Sequence, residues 1–381
     1  MSPDTHPLTA PDGSRRPRVA VVFGGRSAEH SISCATAASV LRAIDRDCYD
    51  VVPIGITTSG AWVQVEADPA ALEIREGQLP QVPSEGDEVV LPLGSSQRSL
   101  TVRAPGEVPR LLGEVDVVFP LLHGPFGEDG TIQGFLELAD VRYVGCGVLA
   151  SAAMMDKHVM KVLFASAGLP MVDYVALTDL DWRRDERDCL RRAGELTFPV
   201  FVKPARAGSS VGISRVEGPE GLREAIERAR LSDPKVIVEA GVSGREIECG
   251  VLQGRGEAYP RISEVGEITV AGEHAFYDFE AKYLDEANVT LRCPADLPSS
   301  VRERVQQIAA QAFDVAGCEG LARVDCFYTS AGEVLLNEIN TMPGFTPYSM
   351  YPQVWAAGGM SYPDLVHELI ELALHRPLGL R

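Results

Sequence analysis

Residues 322–340 read ARVDCFYTSAGEVLLNEIN, two apolar-rich runs on either side of the small-residue turn TSAG at 329–332. This is the pattern of a β-hairpin, in which alternate side chains point to the same face. With TSAG as the loop, Arg323 falls opposite Glu338 and Asp325 opposite Leu336, so that Arg323, Asp325, Glu338 and Asn340 share one face among apolar neighbours. Burying two carboxylates together is costly unless a cation or a hydrogen-bonded arginine compensates. Two carboxylates and an amide oxygen make a hard, all-oxygen donor set that suits Mg²⁺ or Mn²⁺ shared with substrate phosphates. The hairpin alone also admits a plain Arg323–Glu338 salt bridge with Asn340 ending the strand. A one-residue slip of register would separate the groups.

Outward from the hairpin, a helix is expected over 299–316, capped by Ser299 or Ser300, and a last helix opens at the capping-box sequence SYPD. Before them lie the strand EIECGVL and a polar loop from Gly272 to Asn288. An earlier block holds a helix over 155–167 stopped by Gly168 and Pro170, the strands MVDYVAL, PVFVKP and KVIVEA, and a helix over 219–231 with Leu222, Ala225, Ile226 and Ala229 on one side. The first block begins with the strand RVAVVF (18–23), a Gly24-Gly25 turn and a helix from Ser27 to Ile44. It continues with VDVVFPLL (115–122), the loop HGPFGEDG, a helix over Thr131–Leu138 and the strand VRYVG. That alternation predicts an α/β domain with a parallel sheet over 18–150, interrupted at 66–114 by an inserted, hairpin-rich segment. Residues 1–17 read as a disordered tail, 151–240 as a central α+β subdomain and 241–381 as a C-terminal α+β subdomain carrying the metal-type hairpin.

The 381 residues include 35 basic and 54 acidic side chains, a net charge of −19. Such a field repels nucleic-acid backbones and anionic membranes, and an anionic ligand has to be met by a few well-placed cations and backbone N–H groups. A mean hydropathy of +0.00, no signal-type N-terminus and no apolar run of membrane length predict a cytoplasmic protein. Eight scattered cysteines without a C-x-x-C pair read as reduced core residues.

Only five of the basic residues are lysines, Lys157, Lys161, Lys203, Lys235 and Lys282. A compact ammonium meets a phosphate as a point charge. Lys157 falls in the first turn of a helix, Lys203 at a strand end and Lys282 in the polar loop, so each could reach a nucleotide phosphate; solvated surface lysines are the plain alternative. The loop ARAGSSVGIS supplies Gly208, Ser209, Ser210 and Gly212, small enough for backbone N–H groups to approach an anion, yet it is no Walker A loop because no Gly-Lys pair occurs. In GGRSAEHS, Glu29 at a helix start could pair with an ammonium or serve only its own helix dipole. His123 follows a buried strand at its carboxyl end, where open α/β sheets bind ligands. GCGVLA (145–150) fits a dinucleotide fingerprint, but no acidic residue closes a second strand about 20 residues on. An NAD-dependent dehydrogenase is therefore a distant reading.

Taken in order, GGRSAEHSIS, PLLHGPFGEDGTIQG, MDK, VKPARAGSSVGIS, GREIE, YDFEAKY, ARVDCF and NEINTMPGFTPYSM resemble the D-alanine–D-alanine ligase family of the ATP-grasp superfamily, over roughly Arg18 to Pro377. The resemblance implies ATP held between two α+β subdomains, with Lys157 and Lys203 on its phosphates and the loop containing Ser209 and Ser210 as a cover. Glu239, Ala240 and Val242 would line the adenine, Glu246 the ribose, and Asn337 would join the nucleotide site. Asp325, Glu338 and Asn340 would hold two Mg²⁺ or Mn²⁺ ions. One D-alanine would place its ammonium on Glu29 near His123, and the second would be held near Ser349 and Met350. Arg323 would stabilise the oxyanion and Lys282 the moving phosphoryl group, with Ser210, Tyr283 and Glu29 linking loop, cover and N-terminal domain. The AKY triplet with Tyr283 favours D-alanine over D-lactate as acceptor. A D-alanine–D-lactate ligase and another ATP-grasp carboxylate–amine ligase are the alternatives. A homodimer is implied by the resemblance only.

Overall fold

β1 (Arg18–Gly24) forms because RVAVVFG can be buried on both faces, and from Val19 to Phe23 the strand is fully inaccessible to solvent. The computed structural model describes residues 15–66, 68–74, 79–91, 99–104, 106–208, 212–270 and 289–379. After β1 come α1 (His30–Ala43), β2 (Asp50–Ile56), β3 (Trp62–Gln64), β4 (Glu88–Val90), β5 (Ser99–Arg103), β6 (Arg110–Glu114), β7 (Val117–Pro120), α2 (Thr131–Leu138) and β8 (Arg142–Tyr143). They form one sheet in the order β6-β5-β4-β3-β2-β1-β7-β8. The expected parallel sheet is present only as β2-β1-β7-β8; from β3 to β6 the strands run antiparallel. The inserted segment is too short between strands for crossover helices, so it extends the same sheet as a meander. α1 begins three residues later than expected, with Glu29 at its N-cap.

The chain continues through α3 (Val148–Met155), α4 (Lys157–Ser166), β9 (Tyr174–Leu177), α5 (Asp179–Arg184), α6 (Glu186–Gly194), β10 (Val200–Pro204), β11 (Ser214–Val216), α7 (Leu222–Arg230) and β12 (Val236–Ala240). The second sheet is antiparallel, ordered β11-β10-β12-β9. The expected 219–231 helix opens as a 3₁₀ turn at Pro219–Gly221, and α7 then buries the four apolar residues singled out from its period. Each Leu or Ile so buried contributes about 1.5–3 kcal/mol. α3, α5 and α6 are not predicted by the sequence reading; α5 and α6 are rich in charge and bury little beyond Trp182, Cys189 and Ala193.

The third sheet comprises β13 (Gly244–Leu252), β14 (Arg261–Val270), β15 (Val289–Arg292), β16 (Leu321–Thr329) and β17 (Val334–Asn340), antiparallel in the order β15-β14-β13-β16-β17. α8 (Ser299–Val315) packs on it, and α9 (Met350–Ala357) and α10 (Tyr362–Leu374) complete the chain. α8 is not capped by Ser299 or Ser300; Pro298 stands at its N-cap without a side-chain hydrogen bond. Ser361 does cap α10, accepting from the Asp364 N–H. α1 and one face of the first sheet share a continuous core with α9 and α10, through residues such as Phe119, Phe345, Tyr351 and Leu369. The second sheet has an apolar core of its own with α5, α6 and α7. Among the described residues no helix is long and apolar enough to cross a membrane.

Candidate active site

The hairpin of β16 and β17 differs from expectation in register. Arg323 pairs with Asn340 and Asp325 with Glu338, while Cys326 pairs with Leu336, so a bulge at Asn337 shifts the ladder between Asp325 and Cys326. The turn accounts for one residue of offset and the bulge for a second. Because the offset is two, parity survives and the four polar groups still share a face. On the other side of β16, Glu248 of β13 stands opposite Asp325. Glu248, Asp325 and Glu338 therefore form a row of three carboxylates across three strands. Like charges so placed repel, and two cations offset them. Arg323 holds Asp325 through both Nε and Nη2 at 2.8 Å and lies 2.9 Å from Glu248, while Lys157 approaches Glu338 at 3.6 Å. Asn340 donates to Asp325 at 2.9 Å. Burial alone would favour loss of the Arg323 proton, but Asp325 and Glu248 hold its pKa well above the ordinary arginine value.

The facing wall comes from α4 and the second sheet. Asp156 caps α4, accepting from the N–H groups of His158 and Val159, and is itself held by Lys235 at 2.8 Å. That cap fixes Lys157 in the first turn, where its ammonium donates to the Ala207 carbonyl at 3.0 Å. Lys203 on β10 is 2.6 Å from Glu239, its diagonal neighbour on β12, and Lys161 of α4 is 2.9 Å from the other oxygen of the same carboxylate. Burial would raise the Glu239 pKa, yet the two lysines bring it down to about 2. Lys203 is protonated for the converse reason, since Glu239 outweighs the burial that favours the neutral amine.

At the N-terminal end of the cleft, Glu29 is buried with its carboxylate against Gly124 and Gly208; a Cβ at those glycines would come within 2.6 and 3.0 Å of it. The first sheet and the start of the small-residue loop thus meet at this carboxylate. His123, also buried, has Nδ1 4.0 Å from Glu128 and Nε2 3.4 Å from the Thr36 hydroxyl. Burial lowers the His123 pKa. Glu128 accepts from the Gly124 N–H at 2.6 Å, and burial together with the nearby Glu29 charge pushes its carboxyl up to about 8. Ser349 stands at the N-cap of α9 within 2.9 Å of the Thr346 hydroxyl, and Met350 follows it, buried.

One cleft of about 1280 Å³ brings these groups together: Glu29, His123, Lys157, Lys203, Glu239, Ala240, Val242, Glu246, Arg323, Asp325, Asn337, Glu338, Asn340, Ser349 and Met350 all line it. Ser209, Ser210, Lys282 and Tyr283 lie outside the described residues. Sequence reading missed three charged groups of this constellation. Lys161 belonged to the rare lysines but carried no further mark, Glu128 stood inside the quoted HGPFGEDG loop, and Glu248 repeats Glu246 at the two-residue strand period. GCGVLA is no cofactor turn. Gly147 caps α3, the Gly145 carbonyl accepts from Arg376 at 2.6 Å, and Gly320 packs on the Gly145 backbone, so the C-terminal part of the chain encloses the turn.

The donor set is suited to a divalent cation. Asp325 and Glu338 face each other across the ladder, Asn340 adds an amide oxygen, and every available donor atom is a hard oxygen. Among the described residues no cluster of three His, Cys, Asp or Glu side chains is arranged to hold an ion by itself. A cation on this face would complete its shell with nucleotide oxygens and water.

A family model described as the D-ala D-ala ligase N-terminus matches residues 18–146, and one described as the D-ala D-ala ligase C-terminus matches residues 163–371. The D-alanine–D-alanine ligase of Paenarthrobacter aurescens is 59% identical over 367 residues, covering 96% of this chain and 97% of that one. That of Kineococcus radiotolerans is 60% identical over 373 residues, covering 96% and 99%. Among solved structures, the VanG D-Ala:D-Ser ligase from Enterococcus faecalis superposes with a TM-score of 0.81 at 35% identity, covering 94% of this chain and 100% of that one. The D-alanine-D-alanine ligase from Coxiella burnetii gives 0.77 at 33% identity, covering 94% of each chain. With both family models matched in order, and relatives this similar along nearly the whole chain, the protein belongs to the D-alanine–D-alanine ligase family.

Proposed function

We propose that the protein joins two D-alanines to D-alanyl-D-alanine at the expense of ATP, releasing ADP and phosphate, as a supplier of peptidoglycan precursor in the cytoplasm. The observation that carries this reading is the polarised cleft. A wall with surplus positive charge, Lys161 and Lys203 around Glu239, faces a wall with surplus carboxylate, Glu248, Asp325 and Glu338 around Arg323, and a buried Glu29 lies at one end. That arrangement suits a triphosphate, divalent cations and the ammonium of an amino acid.

Lys157 and Lys203 hold the phosphates, Glu239, Ala240 and Val242 border the adenine, and Glu246 takes the ribose. Asn337 completes this side. Asp325, Glu338 and Asn340 would hold Mg²⁺ or Mn²⁺, two ions in all, which on binding would neutralise charge developing on the phosphoryl group. Glu29 receives the ammonium of the first D-alanine beside His123. Its carboxylate oxygen attacks the γ-phosphorus, ADP leaves, and an acyl phosphate results. The second D-alanine, its carboxylate held near Ser349 and the Met350 N–H, attacks the acyl carbon with its neutral amine; Arg323 stabilises the oxyanion, phosphate leaves, and the amine loses a proton. In this reading Ser209 and Ser210 would cover the phosphates, Lys282 would meet the transferring group, and Ser210, Tyr283 and Glu29 would together keep water from the acyl phosphate. Tyr283→Phe then raises ATP hydrolysis relative to dipeptide formation; an unchanged ratio would tell against that role.

The three sheets are read as three domains breaking near residues 150 and 240, with the central one closing on the other two, and the assembly as a homodimer. Incubation with Mg-ATP and a panel of D- and L-amino acids and hydroxy acids tests the activity, with ADP release and product mass as readouts. D-alanine-dependent ADP with D-alanyl-D-alanine as product is expected. Preferential use of D-serine as acceptor, the chemistry in the name of the Enterococcus relative, or of D-lactate would move the protein to a different acceptor class.

A further inference from the structure

Lys161 is a fully buried lysine, at 0% exposure, and it belongs to none of the contacts assigned above to substrate. Burying an ammonium costs several kcal/mol unless paired. Its partner is already engaged: Glu239 offers one oxygen to Lys203 at 2.6 Å and the other to Lys161 at 2.9 Å. Lys161 lies one helical turn beyond Lys157, on the same side of α4, and its ammonium stands 5.5 Å from the centre of the Tyr174 ring. Lys203 and Glu239 reach the cleft surface, and Lys161 is set behind them. Glu239 and Lys203 alone would form a neutral pair with nothing left for an anion. With Lys161 the triad carries a net positive charge, and its member at the cleft is Lys203.

We infer that Lys161 is a positioning residue for nucleotide: by sharing the Glu239 carboxylate it leaves Lys203 incompletely neutralised and aimed at the phosphates. This rests on the ATP-dependent reading above, and two separate measurements keep them apart. D-alanine-dependent ADP release by the wild type tests the ligase reading, and isothermal titration of the full-length protein with Mg-ADP tests Lys161 whatever the amino acid substrate. In Lys161→Met, the Kd for ADP and the KM for ATP rise about tenfold, while kcat and the KM for D-alanine stay within about twofold. In Lys161→Arg, which keeps a cation beside Glu239, ADP affinity stays within about threefold of wild type. A Lys161→Arg variant that binds as weakly as Lys161→Met, or a Lys161→Met variant whose kcat and KM for D-alanine move along with the KM for ATP, would show a packing role and overturn the inference. Should Lys161→Met not fold, Lys161→Gln decides: ADP binding about tenfold weaker than wild type supports the charge-sharing role, and unchanged binding refutes it.

Discussion

The two walls of the cleft solve the same problem with opposite signs. On the third sheet, three carboxylates stand in a row and one arginine serves two of them; behind the second sheet, two lysines share one carboxylate. Neither cluster is neutral. A buried charge left uncompensated is expensive, so each wall is stable at the cost of wanting a partner, cation on one side and anion on the other. The cores differ as well. The carboxylate wall belongs to a sheet packed under α8, and α4, which carries Lys161, packs into that same core, whereas Lys203 and Glu239 sit on a sheet whose apolar core with α5, α6 and α7 is separate.

The largest test removes the polarity of the carboxylate wall. Glu338→Gln is expected to lower kcat/KM by about 10³-fold or more and to raise the concentration of Mg²⁺ giving half-maximal rate, without loss of melting temperature, because the row of like charges is relieved. An unchanged metal requirement would remove Glu338 from the cation site. Next, Lys203→Met deprives Glu239 of its cleft-side partner, and kcat/KM for ATP is expected to fall about 100-fold while the KM for D-alanine holds; initial rates at varied ATP decide it. The effect of Lys161 should be smaller than that of Lys203, as befits a group acting through another.

Smaller again is Glu248→Gln. Arg323 is buried between Glu248 and Asp325, and losing one ionic partner should cost about 1–3 kcal/mol in chemical denaturation. Parity with wild type would mean that Asp325 alone suffices. The last effect is one of pH. Glu128 has its folded pKa raised to about 8, above that of an unfolded glutamate, so its contribution is fully present below about pH 4.5 and is lost as pH rises toward 8. Melting temperature without ligands should therefore decline across that window more steeply in wild type than in Glu128→Gln. Equal slopes would show that Glu128 is ionised throughout.

Legibility followed locality. Arg323, Asp325, Glu338 and Asn340 could be read together because a hairpin is a short-range object whose two-residue period survives an error of two in register. The Asn337 bulge was invisible, since nothing in LLNEIN marks which residue steps out of the ladder. The antiparallel half of the first sheet was read as an insertion because short strands such as β3 and β4, of three residues each, leave almost no period to detect. Lys161 and Glu239 are 78 positions apart by number, and no periodicity connects an α4 face to β12.

By itself, the sequence determined most of the strand-and-helix order, the family, and which residue types were available for phosphate, cation and ammonium, because these depend on composition, spacing and motif order. Only the tertiary structure decided which charges compensate one another. It set Glu248 beside Asp325, placed Lys161 behind Glu239, and brought the partly buried Glu128 near Glu29 at the end of the cleft. The sign and strength of a buried charge depend on what lies within a few ångströms, and that neighbourhood is assembled from distant parts of the chain.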